Sequence, residues 1–207
     1  MNPSDFSDFD SATLHEAAGK TGMVDPAIKP AWPGAKLCGF AFTVHCPPGD
    51  NLMLHHAVAS APPGSILVAQ VGNYTLKGAW GEILTVAAQA RGIAGLIIDG
   101  SVRDIDAIAP LQFPIFSRGL AIGACTKERF GTLDQSLVFG GVPTHPGDLV
   151  FGDGDGIVII GRDQIDEVHA AARQRQEFEN TLINGLQEGK TTLELLNLPP
   201  LPASAKP

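Results

Sequence analysis

Aromatic residues are scarce in this chain: ten Phe, two Trp and one Tyr make up 6% of 207 residues. The hydrophobic fraction of 44% and charged fraction of 17% are ordinary for a packed globular domain. The shortage of rings therefore implies an aliphatic core, and 24 Gly imply many tight turns. Positive charge is also in short supply. Fourteen Lys and Arg stand against 22 Asp and Glu, for a net charge of −8, and the densest basic group, Arg173 and Arg175, sits among acids. Nucleic-acid binding rests on clustered Lys and Arg, so no nucleic-acid partner is expected. Cysteine is nearly absent. Cys38, Cys46 and Cys125 are odd in number and form neither a CxxC motif nor a disulfide framework, which implies buried thiols in a reducing compartment. No apolar run is long enough to span a bilayer. The acidic start, Met1-Asn2-Pro3-Ser4-Asp5, lacks the apolar stretch of a secretory signal. A cytoplasmic protein with no membrane contact is the expectation.

The length suits one domain, and the chain shows no internal repeat and no linker. The pattern predicts a single α/β domain over residues 1–207, with residues 1–10 and 199–207 as loose tails. Residues 11–19 read as a short helix, with Ser11 as N-cap and Gly19 as stop. Residues 38–46 alternate around Phe40, Phe42 and Val44, as a strand does. Asp50 is placed to cap a helix over residues 51–60. Residues 65–71 carry the run Ile66-Leu67-Val68-Ala69, which fits a parallel strand buried on both faces. A loop over 72–80 leads to an apolar helix from Gly81 to about residue 92. A second buried strand covers 95–99, a tight loop 100–103, and a short helix 104–109, stopped by Pro110. This is a βαβα unit, whose crossover should be right-handed. Residues 138–142, 148–151 and 156–160 read as strands of an antiparallel meander, and 163–185 as a long polar helix. The run Gly152-Asp153-Gly154-Asp155-Gly156 lacks the spaced ligands of a calcium loop and reads as a hairpin turn.

Ligand sites in α/β sheets lie at the carboxyl ends of strands. If the two central strands are neighbours, Glu82, Arg103 and Asp104 converge on one rim. Glu82 and Asp104 are hard oxygen donors suited to Mg²⁺ or Mn²⁺. Arg103 supplies a fork for a carboxylate. The amides of Glu82, Ile83 and Leu84 open the helix that follows Gly81, and a helix N-terminus attracts anions. A 2-oxo acid needs these same elements. Plainer readings stay open at this stage: Arg103 and Asp104 as a surface ion pair, Asp104 as the cap of the short helix, and Glu82 as an ordinary first-turn carboxylate. His55 and His56 diverge on their helix and read as packing and capping residues.

Gly81-Glu82, twenty intervening residues and Arg103-Asp104 resemble the motif of the 4-hydroxy-4-methyl-2-oxoglutarate / 4-carboxy-4-hydroxy-2-oxoadipate aldolase family. These are class II pyruvate aldolases that share a fold with the regulator of ribonuclease E activity A proteins. The likeness extends to Pro48-Gly49-Asp50-Asn51-Leu52, Asp99-Gly100-Ser101-Val102, Phe116-Ser117-Arg118-Gly119 and His145-Pro146-Gly147-Asp148, covering roughly residues 13–161.

The resemblance implies a swivelling β/β/α domain with mixed parallel and antiparallel sheets. It implies Asp104 as the metal ligand, with Mg²⁺ or Mn²⁺ as cofactor. Arg103 would bind the pyruvyl part, Glu82 would hold water at the metal, and the backbone from Gly81 to Leu84 would cradle the substrate carboxylate. A Glu from a neighbour's C-terminal helix completes such sites; Glu179 is the best match and Glu177 the fallback. A homotrimer, or a hexamer of two trimers, follows. The implied reaction is retro-aldol cleavage to pyruvate in aromatic-acid breakdown, with oxaloacetate decarboxylation as a side activity. Lys77, near the site loop, is the alternative nucleophile for a Schiff-base route. The second functional class is a non-catalytic regulator, a branch that tends to lose the Asp following the Arg. One departure stands out. Ala107 occupies a place where the family often has an acid, and Asp106, about 100° round the helix, is not expected to replace it.

Overall fold

The structure, a computed structural model, describes residues 1–202. In chain order the helices are α1 (Ser11–Ala17), α2 (Leu52–Ser60), α3 (Glu82–Ala90), α4 (Ile105–Ile108), α5 (Ile165–Gln187) and α6 (Thr192–Leu195). The strands of the largest sheet are β1 (Lys29–Pro30), β2 (Leu37–His45), β3 (Ser65–Gln70), β5 (Gly95–Ile98), β7 (Ile115–Ser117), β9 (Thr132–Leu133), β12 (Leu149–Gly152) and β13 (Ile157–Ile160). Two small sheets complete the fold. One holds β4 (Gly78–Trp80), β6 (Ser101–Val102) and β8 (Gly119–Leu120), the other β10 (Leu137–Phe139) and β11 (Val142–Thr144).

The large sheet runs β1-β7-β5-β3-β2-β12-β13, with β9 also paired to β2. Its centre, β2-β3-β5-β7, is parallel and its flanks are antiparallel. Side chains alternate across a strand, and both faces of β3 are buried as its apolar run requires. Leu67 and Ala69 join the cluster under α2 and α3, with Leu54, Trp80 and Ile98. Ile66 and Val68 join the opposite cluster, with Ile97 and Phe116. A third cluster seats α5 on β12 and β13 through Val168, Ala172, Leu149 and Ile160. No helix among the described residues is long and apolar enough to cross a membrane.

Four expectations are corrected. Residues 1–10 are not a loose lead-in, since Phe6 and Phe9 are buried and meet His169 edge-on. Helix α1 is capped by Asp10, whose carboxylate accepts from the Thr13 amide at 2.7 Å. Ser11 is already helical, and its amide and hydroxyl donate to Asp153 at 2.8 and 2.6 Å. The expected loops 72–80 and 100–103 contain β4 and β6, which pair in parallel. Strands of two or three residues carry no readable period, so only their partners reveal them. Finally, the expected strand 138–142 is a hairpin. Gly140 (φ 52°) and Gly141 (φ 87°) adopt the left-handed backbone of a two-residue turn, setting Phe139 opposite Val142. The expected meander is thus two separate hairpins, β10-β11 and β12-β13. The second closes where Gly152 faces Ile157, as the Gly/Asp run predicts. Residues 199–202 carry neither helix nor strand, and the rest of the expected C-terminal tail lies outside the described residues.

Candidate active site

The site is assembled by β4 and β6. Trp80, fully buried, ends β4, stacks on Phe113 and donates from its ring to the Thr85 hydroxyl at 2.7 Å. Its carbonyl accepts the Arg103 amide at 2.9 Å. That bond fixes the residue after β6 against the residue before Gly81, so two segments distant in sequence meet at one edge. Gly81 then begins α3, with its carbonyl accepting from the Thr85 amide at 3.1 Å.

Asp104 sits at φ 60°, ψ 33°, in the left-handed region, which costs a non-glycine residue about 1 kcal/mol or more. It occupies the N-cap position of α4, yet its side chain makes no capping bond. The carboxylate turns instead to α3, where Oδ2 accepts the Glu82 amide at 3.2 Å. The same oxygen lies 3.5 Å from Arg103 Nε, and the two side chains are 39% and 41% exposed. Asp104 therefore does not cap its own helix α4; it bonds the first amide of α3 and pairs with Arg103. Gly81 is needed for this approach: a Cβ there would collide with Asp104 Oδ2 and crowd the Arg103 guanidinium.

Arg103, Asp104 and Glu82 line a cavity of about 930 Å³ whose remaining wall is largely apolar. Asp106 and Ala107 both reach it, so Asp106 is closer to the site than its offset along α4 suggested. A smaller cavity of about 110 Å³, also lined by Arg103 and Asp104, has Asn51, His55 and Lys127 in its wall. Sequence reasoning missed these three. Asn51 is buried and donates to the Ala79 carbonyl at 2.8 Å, while its Oδ1 has no partner. His55 Nε2 is also buried without a partner. Burial, then the charges of Lys127 and His56, hold the His55 imidazole below its ordinary range, which favours the neutral ring. His55 thus presents an unpartnered ring nitrogen beside the site, in addition to the packing role expected of it.

Asp50 anchors this corner. It accepts from the Leu52 amide at 2.9 Å, the Thr126 hydroxyl at 2.6 Å, the Glu128 amide at 2.8 Å and the Arg129 amide at 3.2 Å. Burial pushes its carboxyl upward, but these four donors outweigh it and bring it down to about 2. The N-cap residue of α2 is Asn51 in place of the expected Asp50, while the Asp50 carboxylate bonds the first helical amide and ties the Lys127 loop to the start of α2. The Cys46 thiol, buried nearby, is pushed up to about 12 by burial, as an inert structural cysteine should be. Cys38 and Cys125 are only partly buried.

Glu179 is not brought to this site within the chain. On α5 it pairs with Arg175 Nε at 2.9 Å, and Arg175 reaches Glu16 of α1 at 2.7 Å. Glu177 is exposed on the same helix.

Residues 4–159 match the RraA-like family, described as Aldolase/RraA. The chain belongs to the RraA-like family. It is 38% identical over 149 residues to a protein of Halalkalibacterium halodurans named putative 4-hydroxy-4-methyl-2-oxoglutarate aldolase, covering 72% of this chain and 71% of that one. A crystal structure of an uncharacterised protein from Pseudomonas syringae superposes with a TM-score of 0.86 at 31% identity, covering 93% of this chain and 91% of the other. A Streptomyces coelicolor structure, described as an unusual member of the RNase ES inhibitor RraA family, superposes with a TM-score of 0.77 at 25% identity, covering 86% and 93%. The mixed α/β single-domain fold expected from the sequence is the fold of this family.

Among the described residues of this RraA-like chain, no group of three or more His, Cys, Asp or Glu could hold a metal ion by itself. A magnesium ion does not need one, since it keeps several waters and is bound through one or two carboxylates. The half-exposed Asp104 carboxylate, freed from capping and facing a roomy cavity beside Glu82, fits that kind of water-rich site. It does not fit an all-protein cage such as structural zinc requires.

Proposed function

We propose that the Arg103–Asp104 site cleaves a 4-hydroxy-2-oxo acid into pyruvate and a second oxo compound. The observation that carries this reading is the Asp104 carboxylate. It is held on a left-handed backbone, does not cap its own helix α4, and is turned toward Arg103 and the α3 N-terminus.

The residues divide the work by their chemistry. The amides of Ile83 and Leu84, unpaired within the first turn of α3, are suited to the C1 carboxylate together with the helix dipole. Arg103 is the residue to steady the C2 oxygen with its guanidinium as that oxygen gains negative charge. Asp104 is the residue to hold Mg²⁺ or Mn²⁺, an ion that would add Lewis-acid stabilisation of that charge. Glu82, exposed at the cavity edge, is available to hold water and accept the proton released from the C4 hydroxyl. Glu179 of a neighbouring copy is the second carboxylate in this account, which makes the active unit an oligomer, a homotrimer or hexamer. Decarboxylation of oxaloacetate should accompany the main activity, because it passes through the same pyruvate enolate.

The likeness to the S. coelicolor protein favours a second reading, a regulator that docks on a protein without chemistry. Asp104, the residue that the regulator branch tends to lose, follows Arg103 here, and this weighs against it. The test is pyruvate release from 4-hydroxy-4-methyl-2-oxoglutarate with Mg²⁺ and then with excess chelator. Release that stops with chelator supports the aldolase. No release from that acid, from 4-carboxy-4-hydroxy-2-oxoadipate or from oxaloacetate supports the regulator.

A further inference from the structure

The smaller cavity beside Arg103 has a charge balance of its own. Among the described residues that line it, Arg103 and Lys127 are cations and Asp104 is the sole carboxylate. Two buried polar atoms of its lining residues have no partner within the chain. Asn51 is 8% exposed and its Oδ1 is unbonded, and His55 Nε2 is buried and unbonded as well. Buried polar atoms are normally paired, so this corner is built to meet an occupant. Its volume of about 110 Å³ is several times the ~10–15 Å³ that one water requires. Two cations against one carboxylate favour a small anion there, and Ile83 and Leu84 of the first turn of α3 share the wall.

Cys125 belongs to the same wall and is half-buried. The chain on either side of it is anchored. The Gly123 carbonyl accepts the Gly78 amide at 2.9 Å, and the Thr126 amide and hydroxyl donate to the Gly49 carbonyl and the Asp50 carboxylate at 3.0 and 2.6 Å. Burial raises the thiol above its ordinary range, while the charges of Lys77, Lys127 and Arg103 pull it down. A raised thiol reacts slowly with reagents met at random. It reacts faster with one that the cavity holds beside it. The other two thiols lack this setting. Cys46 is fully buried in the core, Cys38 donates to the Pro3 carbonyl at 3.3 Å, and neither lines the cavity.

We propose that Cys125 is a covalent modification site for small anionic electrophiles, with 3-halo-2-oxo acids as the class that fits. The carboxylate of such a reagent is drawn by Arg103 and Lys127, and its C3 carbon is left to the thiol. In the step, the Cys125 proton passes to solvent and sulfur attacks C3. The C–S bond forms and the C–halogen bond breaks, its electron pair leaving on the halide. No oxidant or reductant is involved. The resulting pyruvyl thioether occupies the cavity beside Arg103 and Asp104 and blocks it. The proposal goes beyond the aldolase reading and does not rest on it, since alkylation needs a carboxylate held near Arg103 and no cleavage.

The experiment treats the purified full chain with 3-bromopyruvate or with bromoacetone, which carries the same leaving group without the carboxylate. Adducts are located and timed by peptide mass spectrometry, and each rate is divided by that reagent's rate with N-acetylcysteine. At Cys125 the normalised rate should be about tenfold higher or more for the acid, should saturate with its concentration, and should fall several-fold in excess pyruvate. Cys38 and Cys46 should show no such preference. Equal normalised rates for the two reagents at Cys125, or labelling unmoved by pyruvate, would overturn the proposal. Lys127→Gln, at an exposed position, should remove most of the preference for the acid, and a preference that survives intact counts against the charge argument. The aldolase reading fails separately. A chain that takes the adduct at Cys125 yet neither releases pyruvate nor exchanges its methyl protons keeps this proposal and loses that reading.

Discussion

Arg103 Nε and Asp104 Oδ2 stand 3.5 Å apart on adjacent residues, and the contact is possible because Asp104 adopts φ 60°. Adjacent side chains normally diverge, so the left-handed backbone brings the two to one rim. Replacing Asp104 with Gly should relieve the backbone while removing the carboxylate. The prediction for Asp104→Gly is a melting temperature equal to or slightly above that of the wild type, with activity reduced by about two to three orders of magnitude. Calorimetry and the pyruvate assay check it together. A drop in melting temperature of more than about 3 °C would mean that Asp104 stabilises the fold by around 1 kcal/mol, contrary to the strain argument.

Gly81 tests the same relationship from the other side. Its backbone, at φ −155°, is open to any residue, so a substitution there acts through space. In Gly81→Ala the new Cβ meets the Asp104 carboxylate, the free end of a side chain, which can yield. Stability should stay within about 1 kcal/mol, while kcat/KM falls about a hundredfold through misplacement of the carboxylate. Normal activity in this variant would show that the position of Asp104 is unimportant.

The acid sensitivity of the fold should trace to Asp50. Its folded-state carboxyl is lowered to about 2, against an ordinary value of 3.8. A lowered carboxylate contributes stability above its unfolded value and loses it as pH falls through the folded value. The contribution is therefore complete at pH 5 and above, on this argument, and disappears between roughly pH 4 and pH 2. Asp50→Asn should cost on the order of 3 kcal/mol at neutral pH through weakened bonds to Thr126, Glu128 and Arg129. Urea titrations across this range should show a shallower acid limb for the variant, and parallel limbs would exclude Asp50 as the source.

Glu179 is predicted to act across subunits. Asp104→Asn and Glu179→Gln should each be nearly inactive alone, and mixing them under subunit exchange should restore part of the activity. Recovery requires a site built from two copies. If Glu179→Gln is active alone, its role ends with the Arg175 and Glu16 pairs seen on α1 and α5.

The parallel core was legible because Ile66-Leu67-Val68-Ala69 and Leu96-Ile97-Ile98 are long enough, and apolar on both faces, to identify themselves. Convergence of Glu82 with Arg103-Asp104 was legible from the rule that strand ends carry sites. Strands β4 and β6 were not, because three residues and two residues form no pattern without their partner. Asn51, His55 and Lys127 escaped for a related reason. Their proximity to Arg103 depends on Asp50 clamping residues 126–129 onto α2, 76 to 79 positions away in the chain. The lead-in was misjudged because Phe6 and Phe9 are isolated apolar residues among acids, and only α5 and the sheet make them core.

The most direct measurement of the central claim is exchange of pyruvate methyl protons with deuterium, followed by NMR with Mg²⁺ present. It reports enolate formation whatever the natural substrate carries at C4. The account predicts rapid exchange by the wild type, loss of exchange with excess chelator, and none above background in Asp104→Asn. Exchange that persists in chelator or in Asp104→Asn, or no exchange by the wild type, would contradict it.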